Sequence, residues 1–353
     1  MQNLILDFIM IKPIKKSLID TFNKLLAHQD VQPNLYEKIN QSKVQVSALD
    51  NYAAPYELGY QKSSFIEGQA NRSDIVFVTS RFRSGSTVLW NAFRNLGDST
   101  AYYEPFNERK WFNKNTRGDR VDNTHVGVND YWHEFDGMDD LDAIYQESWI
   151  REKLLMDKNS WDPSMKRYIC ELISRAKGRP VLQFNRIDFR LQWLKHHFPN
   201  AKIVHLYRHP RDQWCSFLTD KQKMNKDDVE ISYIDGFYLN TWCRDLSKHF
   251  PFLASDETPH PYARFYLLWK LSFLYGQKFS DYSLGYEKFS AAPEQVLTEL
   301  VTVLGWSKPT VDKASSVVKP PVLDKWKNYA EEQWFSDIEC HCESVLSDFL
   351  RER

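Results

Sequence analysis

One segment near residue 80 constrains the fold of this chain more than any other. Residues 74–79 (DIVFVT) form a short apolar run rich in β-branched side chains, typical of a buried parallel strand. Residues 80–87 (SRFRSGST) then combine a glycine, small hydroxyl side chains and two arginines, and a helix is predicted over 86–96 with Gly97 at its end. A strand, a glycine-containing turn and a helix in this order predict an anion site at the helix N-terminus.

The rest of the chain alternates between short apolar runs and amphipathic stretches. Further strands are predicted at 101–103, 180–184, 202–207 and 282–286, and helices at 164–177, 189–197, 211–218 and 294–304. This alternation predicts an α/β fold, a three-layer sandwich with a mostly parallel central sheet and a phosphate-loop-like (P-loop-like) turn. In such sheets, ligands bind at the carboxyl ends of the strands.

Composition limits the classes of partner and the compartment. The 353 residues carry 46 Lys and Arg against 47 Asp and Glu, so the net charge of −1 gives no general attraction to nucleic acid or to an anionic membrane. The five cysteines have neither zinc-type spacing nor the pattern of a disulfide framework, which favours the reducing cytoplasm.

Residues 4–14 are apolar but interrupted by Asp7 and Lys12. They are too short to span a membrane, so we expect an amphipathic docking helix there and a second helix at 17–27.

The turn at 80–87 departs from the nucleoside-triphosphatase pattern G-x-x-x-x-G-K-[ST] at two positions. Ser80 stands where the first glycine belongs, and Ser86 stands where that pattern has its phosphate-binding lysine. The strand at 202–207 ends in Arg208, and no predicted strand ends in an aspartate that would hold magnesium. A metal-dependent kinase is therefore disfavoured, and we predict no metal site.

The sequence RSGST at 83–87, directly after a strand, resembles the 5′-phosphosulfate loop of sulfotransferases that use 3′-phosphoadenosine-5′-phosphosulfate (PAPS). In that family the cation before S-G-[ST] contacts the sulfuryl group and the bridging oxygen, and Arg83 occupies that position. The resemblance implies a donor site built from Arg81, Arg83, Ser84, Gly85, Ser86 and Thr87.

A second segment, 198–216, resembles the 3′-phosphate motif of the same family, in which a strand ends in arginine and a serine lies two turns into the next helix. Arg208 and Ser216 match those positions, and a helix that begins near Pro210 would bring both donors to one phosphate. Residues 322–329 resemble the loop that closes over the nucleotide, which makes Lys325 and Lys327 candidate phosphate ligands.

The segment 102–108 (YYEPFNE) follows the second predicted strand. Branches of the family that act on carbohydrate or tyrosine hydroxyls place a glutamate base there, and Glu104 matches it. Glu108 is the weaker alternative, and His125 or His133 would act if this enzyme used histidine.

The chain departs from the family at Gln183, where many relatives have a lysine that supports the leaving oxygen. Arg186 or Arg81 could supply the missing charge, or Gln183 could donate a neutral hydrogen bond.

The resemblance implies a helical extension at 1–70 and a catalytic domain at 71–353, with an acceptor-site insertion or lid at 109–161. The expected function is transfer of the sulfuryl group from PAPS to a hydroxyl or amine of a carbohydrate or small metabolite, with 3′-phosphoadenosine-5′-phosphate (PAP) released. The alternatives are a nucleoside or sugar kinase and a catalytically silent module that binds PAPS or PAP. The sequence leaves the acceptor and homo-oligomer formation open.

Overall fold

The computed structural model describes residue 21 and residues 64–125, 127–306, 311–320 and 322–351. Except for Thr21, all of the described residues belong to one compact unit. The predicted helix at 4–14, and all of the predicted helix at 17–27 except Thr21, lie outside the described residues.

The described chain contains a parallel sheet of five strands in the order β2-β3-β1-β4-β5. Each strand is four to six residues long, and most positions are buried, because helices cover a parallel sheet on its faces. The strands are β1 (Val76–Ser80), β2 (Ser99–Tyr103), β3 (Arg179–Phe184), β4 (Lys202–Tyr207) and β5 (Tyr282–Gly285). The predicted fold class, an α/β sandwich with a mostly parallel sheet and a phosphate-loop-like turn, is confirmed.

Helices connect the strands and continue to the C-terminal end of the described chain. In chain order they are α1 (Ser64–Ala70), α2 (Ser86–Arg94), α3 (Pro163–Arg175), α4 (Leu191–His197), α5 (Pro210–Phe217), α6 (Val229–Ser232), α7 (Leu239–Ser247), α8 (Pro261–Phe279), α9 (Tyr286–Ala291), α10 (Pro293–Val303), α11 (Asp312–Ser316) and α12 (Glu332–Arg351). Short 3-10 helices lie at His133–Phe135, Asp139–Ala143, Glu147–Ile150, Pro251–Leu253 and Lys325–Asn328.

The described part of 109–161 has no strand and no α-helix, yet it packs closely on the edge strand β2. Tyr131 stacks on Tyr103 at 4.6 Å between ring centroids, and Phe135 contacts Tyr102 at 5.0 Å. Trp149 is also buried. Aromatic packing therefore holds the described part of this insertion in place, although it contains no strand and no α-helix.

The sheet topology places the carboxyl ends of all five strands at one edge. β1 lies at the centre, hydrogen-bonded to β3 on one side and β4 on the other. The segments that follow the strands consequently meet at this edge, where the sequence predicts the ligand site.

A candidate active-site cleft at the strand ends

A cleft of about 770 Å³ lies at the carboxyl edge of the sheet. The segment after each strand contributes to its lining: Thr87 after β1, Glu104 after β2, Asn185 after β3, Arg208 after β4 and Tyr286 after β5. The insertion and the loop before α12 complete it. The cleft therefore depends on the register of the whole sheet.

The turn between β1 and α2 has the geometry of an anion-binding site. Gly85 has φ of +92°, and the backbone N–H groups of Gly85, Ser86 and Thr87 find no acceptor within the described chain. A Cβ atom on Gly85 would lie 2.3 Å from the ring of Tyr286, so only glycine fits this position. Unpaired N–H groups at a helix N-terminus favour a bound oxyanion.

Arg208 joins this turn to helix α5. Its Nη1 donates to the carbonyl oxygen of Arg83 at 3.1 Å and to the hydroxyl of Ser216 at 3.2 Å, while its buried Nε finds no acceptor among the described residues. Nε of Arg83 in turn donates to the carbonyl oxygen of Ser216 at 2.9 Å. The two motifs recognised in the sequence therefore meet at one end of the cleft.

Lys325 adds another cation at this end. It lines the cleft, and burial together with the charges of Arg208 and Lys221 lowers its pKa. Within the described chain, neither Arg208 nor Lys325 forms an ion pair with a carboxylate. Two neighbouring cations that have no ion-pair partner within the described chain indicate a site for a polyanion.

Glu104 lies at the end of β2 with its carboxylate buried and held by three donors. It accepts from Nδ2 of Asn107 at 2.7 Å, from Nδ2 of Asn185, and from Nη1 of Arg186 at 2.9 Å. Arg186 also donates to Glu108 at 2.7 Å. The network fixes a carboxylate at the cleft surface.

A profile described as the sulfotransferase family matches residues 75–309, which is more than half of the chain. The chain belongs to the sulfotransferase family. The match includes the turn after β1 and the segment from Arg208 to Ser216, and it ends before Lys325.

Two solved structures were also found with weak similarity to this sulfotransferase. The sulfotransferase domain from the curacin biosynthetic pathway has 17% identity and a TM-score of 0.39, with 78% of this chain and 98% of that chain covered. The sulfotransferase domain from the Synechococcus PCC 7002 olefin synthase has 16% identity and a TM-score of 0.34, with 77% and 94% covered. A search of curated proteins found no match.

His125 brings the insertion of the sulfotransferase to the turn after β1. Its Nε2 lies 3.3 Å from the hydroxyl of Thr87, which lies 2.9 Å from the hydroxyl of Tyr103, and its Nδ1 contacts the hydroxyl of Tyr131. Burial lowers the pKa of His125, so the imidazole is neutral near pH 7. His133, by contrast, is exposed and lies 3.8 Å from Asp136.

Several side chains predicted to act in the site point elsewhere. Arg81 forms a buried ion pair with Asp188 at 2.6 Å, and the hydroxyl of Ser84 donates to the carbonyl oxygen of Arg81 at 2.7 Å. The ammonium group of Lys327 pairs with Asp324 at 2.7 Å. None of these side chains lines the cleft, whereas Arg83, Gly85, Ser86, Thr87, Arg208, Ser216, Lys325 and Glu104 do.

Gln183 is buried beneath the cleft surface and does not line it. Its Nε2 donates to Asn185 at 2.8 Å, and Asn185 reaches the Glu104 carboxylate. Sequence reasoning missed Asn185 and Asn107. The signal for Asn185 was its place directly after β3, since residues that follow parallel strands line the ligand edge.

The described residues contain no cluster of three or more His, Cys, Asp or Glu side chains that could hold a metal ion. Among the same residues, no helix is long and apolar enough to cross a membrane.

Proposed function

We propose that this sulfotransferase moves the sulfuryl group of PAPS to a hydroxyl or amine of a carbohydrate or small-metabolite acceptor and releases PAP. The observation that supports it best is the bridge from Arg208 to Arg83 and Ser216, which joins both nucleotide motifs in one cleft. PAPS carries phosphate groups at both ends of its ribose, and a site with two clusters of unpaired donors suits such a polyanion.

Each of the two clusters binds a different phosphate group of PAPS. In this proposal the backbone N–H groups of residues 85–87, with Arg83 and the hydroxyls of Ser86 and Thr87, hold the 5′-phosphosulfate. Arg208, Ser216 and Lys325 hold the 3′-phosphate. The orphaned Nε of Arg208 and the space that Gly85 leaves both fit this assignment.

Transfer proceeds by in-line displacement. The acceptor oxygen or nitrogen forms a bond to sulfur while the bond from sulfur to the bridging phosphate oxygen breaks, and the acceptor proton passes to a base. Negative charge develops on the leaving phosphate, where Arg83 and the backbone N–H groups neutralise it. Gln183 and Arg81 do not reach the cleft, and Arg186 lines it but is paired with Glu104 and Glu108, so we assign this charge to Arg83.

Glu104 is the proposed base, since its carboxylate lines the cleft one residue beyond the end of β2. A second candidate is His125, which also lines the cleft. Its neutral imidazole lies beside Thr87, where the reacting sulfur would be bound, and the Glu104 carboxylate already accepts three hydrogen bonds. The two candidates differ in their expected kinetics, which we compare below.

We also propose a cytoplasmic location. All five cysteines lie within the described residues and are free, and Cys340 is exposed. Free thiols are typical of proteins in a reducing compartment.

Calorimetric titration of PAP in the presence of EDTA tests the donor assignment. We expect the wild type to bind without divalent metal and Arg208→Gln to lose about 10- to 100-fold in affinity, since a charge-assisted hydrogen bond contributes about 1.5–3 kcal/mol. Arg175→Gln is the matched control, because Arg175 pairs with Asp140 and does not line the cleft. Failure of the wild type to bind would contradict the proposal, and unchanged affinity in Arg208→Gln would remove the 3′-phosphate assignment.

Two further readouts separate the alternative functions. A silent module would bind PAP but form no labelled product from PAPS with any acceptor. A kinase would require magnesium and ATP, and its activity would be lost in EDTA.

A further inference from the structure

We infer that the acceptor carries an oxyanion, of which a carboxylate is the simplest, and that Arg109 and Arg120 bind it. The inference rests on the proposed function, because it assigns the part of the cleft that the donor nucleotide leaves open. Both arginines line the cleft from the insertion that follows β2. Nη1 of Arg109 donates to the carbonyl oxygen of Arg120 at 3.2 Å, so the two residues are neighbours.

These arginines and the proposed 3′-phosphate site follow different strands of the sheet. Arg208 follows β4, whereas Arg109 and Arg120 belong to the segment after the edge strand β2. β3 and β1 lie between β2 and β4, and three strand spacings are about 14 Å. Arg109 and Arg120 therefore belong to a different segment of the lining from Arg208. The insertion reaches the turn after β1 through Asp122, which lies 3.9 Å from Arg83.

The charges that line the cleft do not cancel. Arg186 pairs with both Glu104 and Glu108, and Arg83 lies 3.9 Å from Asp122. These pairings use all of the acidic side chains that line the cleft. The remaining lining cations are Arg208 and Lys325, which belong to the proposed 3′-phosphate site, and Arg109 and Arg120 of the insertion.

Neither Arg109 nor Arg120 forms an ion pair with a carboxylate of the described chain, although each is exposed at the cleft. Other arginines of the same insertion do have such partners: Arg117 lies 3.4 Å from Asp136. Two neighbouring arginine residues whose guanidinium groups have no ion-pair partner in the described chain suit an oxyanion, since the planar donors of arginine match its geometry.

Aromatic side chains also line the cleft, among them the partly buried rings of Phe237 and Tyr238. The C–H face of a sugar ring, or an arene, can pack on such a surface while an oxyanion of the same molecule contacts the arginines. The expected acceptor is thus a cyclic molecule with a hydroxyl or amine for transfer and a negative group at the other end.

Matched pairs of ligands that differ only in this charge test the inference. Phenyl β-D-glucuronide and phenyl β-D-glucoside form one pair, and 4-hydroxyphenylacetate and 4-hydroxyphenylacetamide form another. Each is titrated into the PAP-saturated wild type, Arg109→Gln/Arg120→Gln and Arg117→Gln. The last is the control, because Arg117 belongs to the insertion but does not line the cleft.

In at least one pair we expect the carboxylate to bind the wild type and Arg117→Gln about tenfold more tightly than its neutral partner. The double variant should reduce this preference to less than about threefold and leave the affinity for PAP unchanged. Equal binding within both pairs, or no binding of either carboxylate, would overturn the inference. A large loss of PAP affinity in the double variant would also overturn it, because the arginines would then belong to the nucleotide site.

Failure of the proposed function can be distinguished from failure of this inference by the binding of PAP to the wild type. If the wild type did not bind PAP, the same pairs would be titrated into the nucleotide-free protein. A carboxylate preference that depended on Arg109 and Arg120 would still support an oxyanion site, and its absence would overturn that site as well.

Discussion

The carboxylate of Glu104 and the guanidinium of Arg186 lie 2.9 Å apart, with only 5% and 1% of their side chains exposed. Arg186 also holds Glu108, and its charge lies 4.9 Å from the ring of Phe82. A buried arginine thus connects the segment after β2 to the segment after β3. This arrangement places a fixed carboxylate at the cleft, and its consequences can be measured.

Replacing Glu104 by Gln removes the proposed base while it keeps the side-chain size. We expect kcat to fall at least about 100-fold with PAP affinity unchanged, because general-base catalysis typically contributes 10²–10⁴-fold. His125→Gln should lower kcat only several-fold. Single-turnover sulfuryl transfer and PAP titration measure the two quantities. If His125→Gln were the more damaging variant, His125 would replace Glu104 as the base.

Arg81→Met should destabilise the protein without weakening nucleotide binding. The substitution leaves Asp188 buried without its cation, which typically costs about 3–5 kcal/mol of unfolding free energy. Arg175→Met, which breaks a surface pair with Asp140, should cost no more than about 1 kcal/mol. Urea unfolding and PAP titration check both variants. Normal stability with loss of PAP binding would instead assign Arg81 to the donor site.

Gly85→Ala should abolish PAP binding, and Gly97→Ala should not. Both glycines have positive φ, so alanine at either position costs about 1–3 kcal/mol in backbone strain. Only at Gly85 would the added Cβ meet the ring of Tyr286, at 2.3 Å, whereas nothing lies within 4 Å at Gly97. Thermal unfolding measures the loss of stability from the backbone strain that both variants share. Calorimetry measures the loss of PAP binding, which we expect only in Gly85→Ala. Equal PAP affinity in the two variants would contradict this prediction.

Stability should fall as the pH decreases from 7 to 5, partly because of His205. Burial lowers the pKa of His205 to about 4, below the value of about 6.5 expected in the unfolded chain. As the pH falls, the His205 imidazole is therefore protonated in the unfolded state before it is protonated in the folded state. The stabilisation of the folded state that is present above pH 6.5 is lost as the pH falls towards 4. Between pH 7 and pH 5 the loss is on the order of 2 kcal/mol.

His205→Asn should reduce this pH dependence by that amount, since asparagine does not titrate. Urea unfolding at the two pH values measures the difference. His133→Asn is the control, because it replaces an exposed histidine and not a buried one. An identical pH dependence in wild type and His205→Asn would contradict the prediction.

Strong local signals allowed much of the fold to be predicted from the sequence. The apolar run before residue 80 is β1, and the strand predicted at 202–207 is β4 with Arg208 directly after it. Helix α8 was not predicted, because its own apolar residues occupy most of its faces and leave no clear polar face. The 3-10 helices of the insertion were also outside what hydrophobic periodicity detects.

The direction of individual side chains was harder to predict than the elements that hold them. Arg81 and Arg83 are two residues apart in one turn, yet Arg81 pairs with Asp188 and only Arg83 lines the cleft. Arg83 has φ of +65°, an unusual conformation for this residue type that no sequence pattern indicated. Likewise, the pairing of Arg81 depends on a residue more than a hundred positions later.

The central place of β1 has a consequence for the newly made chain. Val76 pairs with Val181 on one side and Lys202 on the other, so β1 has no strand partner until more than a hundred further residues have been synthesised. Contacts between such distant segments are slow to form. Tyr286, which packs on Gly85, leaves the ribosome later still. The turn after β1 is synthesised early, yet its packing is completed only when Tyr286 is available. A nascent chain that stops before Tyr286 lacks one wall of the anion site.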